Sequence, residues 1–167
     1  MNTPDASKGA PNNPDIDPQE DLYAVVTDMR TGFVTGTSGT VLKTRDAGAT
    51  WQSLKLGTDQ TISALSFPTP TVGYAAEDRG TVRKTTDAGW SWQRLLVPTE
   101  WNLFALVFPT SIVGYIVGGG GAMFKTTDAG ATWEKLSTGT SKAAHLEQAH
   151  QSLRWGRLIV QKAGFHL

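Results

Sequence analysis

The phrase Lys-Thr-x-Asp-Ala-Gly-x-Thr/Ser-Trp occurs three times in this chain, at Lys43–Trp51, Lys84–Trp92 and Lys125–Trp133. Its aspartates, Asp46, Asp87 and Asp128, stand 41 residues apart each time. A fixed period of about 40 residues with strand-type sequence marks an architecture built by repeating one small sheet. Other landmarks keep the same register: Gly32, Gly73 and Gly114 fall 14 residues before each Asp, and Gly39, Gly80 and Gly121 fall seven before it. Three repeat units follow, over residues 22–57, 62–98 and 103–139.

Each unit reads as four short strands bounded by turn residues. The first is Tyr23–Thr27, matched by Ile62–Phe67 and Leu103–Phe108. The second starts at Gly32, Gly73 or Gly114, and the third ends at the Lys-Thr of the phrase. The fourth is expected to open at the phrase Trp and run to Leu54, Leu96 or Leu136. Pro68, Pro70 and Pro109 fall between first and second strands, where a residue without an N–H is tolerated. Four antiparallel strands at this period are the blade of a β-propeller, so the expected fold is all-β with three four-stranded blades.

The phrase has a structural reading before any functional one. An Asp carboxylate accepts hydrogen bonds from its own turn, and Gly48, Gly89 and Gly130 take positive φ without a Cβ penalty. Trp51, Trp92 and Trp133 supply large apolar surfaces to cover the hairpin. Equivalent carboxylates in different blades point in different directions, so they do not converge on one substrate or cation. Gly118–Gly121 lacks the Lys-Ser/Thr and helix of a phosphate loop and aligns with Gly36–Gly39, a turn. His145, His150 and His166 lie beyond the repeats, and the first two are not spaced to share a helical face.

The phrase resembles the Asp-box of sialidase, sortilin and large endoglucanase propellers. The longer pattern, Gly-aromatic-Val followed by the spaced glycines and Val-Leu-Lys-Thr-x-Asp-Ala-Gly-x-Thr-Trp, resembles the Ycf48-like photosystem II assembly factors across about residues 22–139. That resemblance implies a non-enzymatic scaffold for protein–protein interaction, serving a membrane complex under assembly, without catalytic residues, cofactor or metal. The alternative is a fragment of a carbohydrate-active Asp-box propeller, with Trp90 and Trp101 as sugar-stacking platforms. A sialidase or endoglucanase site is not assembled by these residues: Tyr74 and Tyr115 are repeated core positions, and Glu77-Asp78 is expected to be a solvated turn.

Lys plus Arg and Asp plus Glu both number 15, which gives no basic excess for nucleic acid, and no apolar stretch reaches bilayer-spanning length. No cysteine is present, so disulfides and thiol chemistry are excluded. The first residues lack the pattern of a secretion signal, and a soluble protein of open compartment is expected.

Departures from the repeat are where partner contacts are expected. The second unit carries Arg79, Arg83, Arg94 and Trp90 where the others differ, and Trp101 has no repeat counterpart. Residues 1–21, rich in Pro, Asn and Asp, are expected to be a disordered leader. Residues 140–167 are expected to be an irregular tail with a helix over 142–153 or a degenerate partial blade. Three blades do not close a ring, so the expectation is a fragment of a larger propeller, self-association of copies to complete the ring, or a degenerate partial blade from the tail.

Overall fold

The computed structural model describes residues 21–26 and 30–137, which form three four-stranded antiparallel sheets. The first contains β1 (Leu22–Val26), β2 (Gly32–Gly36), β3 (Thr40–Thr44) and β4 (Gln52–Lys55). The second contains β5 (Ile62–Ser66), β6 (Gly73–Glu77), β7 (Thr81–Thr85) and β8 (Gln93–Leu96). The third contains β9 (Leu103–Val107), β10 (Gly114–Gly118), β11 (Met123–Thr126) and β12 (Glu134–Lys135). Spatial order follows chain order in every sheet, which is the meander of a propeller blade. The all-β, three-bladed architecture expected from the repeat is the one the chain adopts. Residues 1–20 of the expected leader, and the tail with its expected helix, lie outside the described residues.

Each fourth strand starts one residue later than expected, at Gln52, Gln93 and Glu134. The phrase Trp completes the turn instead, because the residue before it is tied back to the box Asp. In the first box, Thr50 donates from its N–H to Asp46 Oδ1 (2.8 Å) and from its hydroxyl to Asp46 Oδ2 (2.6 Å). The Thr44 hydroxyl donates to Asp46 Oδ1 (2.7 Å) and accepts from the N–H of Gly48 (2.9 Å). Thr85, Asp87, Gly89 and Ser91 repeat this set, as do Thr126, Asp128, Gly130 and Thr132.

The turn is also left-handed at two successive residues: Ala47, Ala88 and Ala129 have φ near +60°, followed by Gly at φ 86–93°. Each Ala N–H donates to a carbonyl in the loop between the blade's first two strands, at Arg30, Thr71 and Ile112. A strained turn is thus held from both sides.

The core lies between blades rather than within them. Phe33, Val41, Leu54, Ile62, Leu65 and Ala75 bury together at the first junction, and Tyr74, Val82, Leu103, Leu106, Phe108 and Ile116 at the second. Alternation along β6 sends Tyr74 and Ala76 to one junction and Ala75 to the other, as the two-residue period of a strand requires. Aromatic pairs bridge the junctions, with Phe33 stacked on Phe67 at 4.4 Å and Tyr74 stacked on Phe108. Trp92 and Trp133 then meet Phe67 and Phe108 edge to face.

A lysine clasp accompanies each pair. Lys43 Nζ donates across the junction to the carbonyl of Ala88 (2.9 Å), and Lys84 Nζ to that of Ala129 (3.3 Å). Each ammonium also lies over the aromatic ring of its own blade, 5.2 Å from Phe33 and 5.6 Å from Tyr74. The Tyr74 hydroxyl donates to the same Ala129 carbonyl and to that of Ser111, and burial pushes its pKa up to about 12.

Two outcomes follow from the boxes. Thr85→Val keeps the shape but leaves the buried Gly89 N–H without an acceptor, and is expected to cost about 1–3 kcal/mol in urea denaturation. The three box carboxyls are held at about 2, below the ordinary 3.8, first by the Thr50, Ser91 and Thr132 hydroxyls and then by the same residues' N–H groups. A depressed carboxyl stabilises the fold fully above its unfolded pKa. Thermal stability followed against pH is therefore expected to hold down to about 4 and to fall progressively towards pH 2.

Candidate functional site

A cavity of about 890 Å³ opens where the first two blades meet, on the edge that carries the box turns. The β1–β2 loop supplies Arg30 and Thr31, and the first box supplies Lys43 and Arg45. The β5–β6 loop supplies Phe67 and the Pro68-Thr69-Pro70 segment. The prolines hold this loop away from a ladder they cannot join, which keeps the groove's second wall off the sheet. The stacked pair Phe33 and Phe67 forms an aromatic surface within it.

Three of its lining residues are cationic and none of the described ones is acidic. Lys43 is only 6% exposed, and burial lowers its pKa, with the Arg45 guanidinium lowering it further. Its ammonium is already committed to the Ala88 carbonyl, whereas Arg45 is exposed on the rim. Among the described residues the lining holds no carboxylate, histidine or cysteine.

Arg30 and Arg45 were not among the residues expected to contact a partner. Both break the repeat: Arg45 stands where the other boxes have Thr86 and Thr127, and Arg30 where they have Thr71 and Ile112. Comparison across units carries that signal in the first unit as well as the second.

The residues singled out in the second unit do not form one patch. Arg83 is bonded to Glu77, which is only 1% exposed, and the Thr58 hydroxyl also donates to this carboxylate. Glu77 is therefore not the solvated turn residue expected from sequence. It is the last residue of β6, buried beneath the cation that replaces Leu42 and Phe124 of the other blades. Burial raises its pKa, with Arg83 and then Thr58 opposing.

Arg94 donates to the Thr81 hydroxyl from the neighbouring strand. Arg79 occupies the β6–β7 turn at positive φ, with its N–H on the Asn102 side chain. Trp101 lies near that turn's edge, packed on Gly119 and Gly120, where a Cβ would meet the indole at 3.2 and 2.9 Å. Trp90 protrudes from the second box at the opposite ends of the strands. Both tryptophans are more than half exposed. The box residues Asp46, Asp87 and Asp128, with their glycines and tryptophans, sit in three separate hairpins. Among the described residues no group of His, Cys, Asp or Glu is placed to hold a metal ion.

The family model described as photosynthesis system II assembly factor YCF48 matches residues 12–99 and 49–135. The chain belongs to the Ycf48 family. Solved structures of Ycf48 proteins share the fold. One, a Ycf48 bound to a D1 peptide, matches with a TM-score of 0.62 and 22% identity over 79% of this chain and 48% of that one. Another, Ycf48 from Cyanidioschyzon merolae, matches with a TM-score of 0.63 and 23% identity over 73% of this chain and 38% of that one. The chain thus spans about half the length of these relatives or less. An ancestral GH74 enzyme also shares the fold, with a TM-score of 0.57 and 16% identity, over 83% of this chain and 20% of that one. No curated protein matches the chain in sequence.

Arg83 supplies a test of the second blade. Arg83→Met leaves the Glu77 carboxylate buried without its cation and is expected to cost about 3–5 kcal/mol in chemical denaturation at pH 7. The double variant Glu77→Gln, Arg83→Met is expected to recover most of that loss.

Proposed function

We propose that the chain is a non-enzymatic scaffold that binds a protein segment in the groove between its first two blades, in the service of photosystem II assembly. The observation that carries this reading is the aromatic, cation-rimmed groove in a member of the Ycf48 family. A Ycf48 structure bound to a D1 peptide supports a peptide as the occupant. The rim suits an anionic group, a side-chain or terminal carboxylate, while Phe67 and the prolines suit the apolar residues beside it. Arg79 and Trp101, on the opposite edge of the blades, are a second contact area for a partner larger than the groove. Self-association to complete the ring belongs to the same reading.

Fluorescence anisotropy with a labelled D1 peptide tests the groove. Binding is expected to weaken at least tenfold in Arg45→Glu and in Phe67→Ala, and to weaken with added salt, since an exposed cation is screened. Binding unchanged in both variants would remove the groove as the site.

The carbohydrate reading draws on the exposure of Trp90 and Trp101. Because they stand at opposite ends of the strands, each would act alone as a stacking platform. Retention on a glycan array that disappears in Trp90→Ala would favour this alternative over the peptide.

A further inference from the structure

The two junctions are built alike, so they can be compared position by position at the edge that carries the boxes. The first is framed there by the β1–β2 loop, the first box, the β5–β6 loop and the second box. The second junction has the equivalent parts one blade on. From the first to the second, Arg30 is exchanged for Thr71, Arg45 for Thr86 and Trp90 for Ala131. Arg30 and Arg45 line the groove, and Trp90 stands two residues after Ala88, which also lines it. Both added cations and the added indole therefore fall at one junction.

The second box carries Trp90 on a backbone fixed from both sides. Before it, the Gly89 N–H donates to the Thr85 hydroxyl (2.9 Å), and after it Ser91 donates to Asp87 from its N–H (2.9 Å) and its hydroxyl (2.6 Å). Gly89 is buried against the first blade, where an added Cβ would meet Leu54 at 2.8 Å, so this turn is seated at the junction itself. The box does not need the indole that follows. The first and third boxes close with the same hydrogen bonds around Ala49 and Ala131. Trp90 is 59% exposed. The Trp92 indole N–H donates to the Gly89 carbonyl at 2.9 Å, whereas that of Trp90 has no acceptor among the described residues. A large ring left in water on a fixed backbone offers contact area at a small ordering cost, which is what an interface anchor requires.

We propose that Trp90 is a specificity-determining residue of the first-junction groove, holding an aromatic or long apolar side chain of the bound segment beyond the anionic group that Arg45 holds. This rests on the groove as the peptide site and adds what the site selects. An exposed guanidinium, screened by salt, accepts any accessible carboxylate. The indole adds a requirement of shape, because an aromatic or apolar partner gains from stacking on it and a small or polar one does not. The ligand class is therefore an extended peptide that carries a carboxylate and, set apart from it, a bulky apolar residue.

A double-mutant cycle on the full chain tests it, read by fluorescence anisotropy. The probes are the labelled D1 peptide and versions of it in which each aromatic or long aliphatic residue is replaced in turn by Ala. Trp90→Ala is expected to bind the parent peptide about fivefold more weakly, and Trp90→Phe to recover most of that loss. One peptide replacement is expected to cost the wild type a similar factor and to cost Trp90→Ala little more, since the pair is then already broken. The salt dependence of binding is expected to be kept in Trp90→Ala and to flatten in Arg45→Glu. The circular dichroism spectrum of Trp90→Ala is expected to match the wild type, because the other two boxes already carry Ala there. With Arg45→Glu and Phe67→Ala weakened, full affinity in Trp90→Ala, or a loss coupled to no residue of the peptide, overturns the proposal and leaves the groove as the site. Unchanged binding in Arg45→Glu and Phe67→Ala removes the groove and the proposal together.

Discussion

The lysine clasp between blades is the interaction on which the rest of this structure depends. Lys43 and Lys84 each reach from the third strand of one blade to the box carbonyl of the next, above an aromatic ring. A carbonyl is available there because the box turn runs through a left-handed Ala-Gly pair, and that turn is stable because Asp and Thr side chains satisfy its N–H groups. A blade is one repeat unit and cannot bury its apolar faces without a neighbour. Box, clasp and aromatic stack therefore act as one joint: the hairpin is closed in the same place where the next blade is fixed.

The joint also explains the groove. Its floor is the Phe33–Phe67 stack and its wall carries Lys43, so the groove is the open end of the first junction. The first joint differs from the second at Arg30 and Arg45. At the second junction the corresponding positions are Thr71 and Thr86, which carry no charge. One scaffold geometry thus acquires a distinct electrostatic character at one place without altering the packing beneath.

The second blade departs from the repeat differently. Arg83 sits where the other blades have apolar residues, and its charge is answered internally by Glu77 rather than offered to a partner. A cation that breaks a repeat is therefore not by itself a binding residue: Arg83 is neutralised at hydrogen-bond distance, while Arg45 stands on an open rim. The distinction is made by whether a carboxylate from another strand reaches it.

The repeat by itself determined the blade: strand number, hairpin position and the box turn depend on residues within a few positions of one another, whose spacing is visible in the chain. The Asp–Thr hydrogen bonds and positive φ values are local consequences of Thr-x-Asp-Ala-Gly. Only the tertiary structure decided the meaning of the lysine, the pairing of Arg83 with Glu77 and the meeting of Arg30 and Arg45 with Phe67 and its prolines. Each of these joins residues from different strands or different blades, so its distance depends on the twist and rotation between sheets, which no local pattern records.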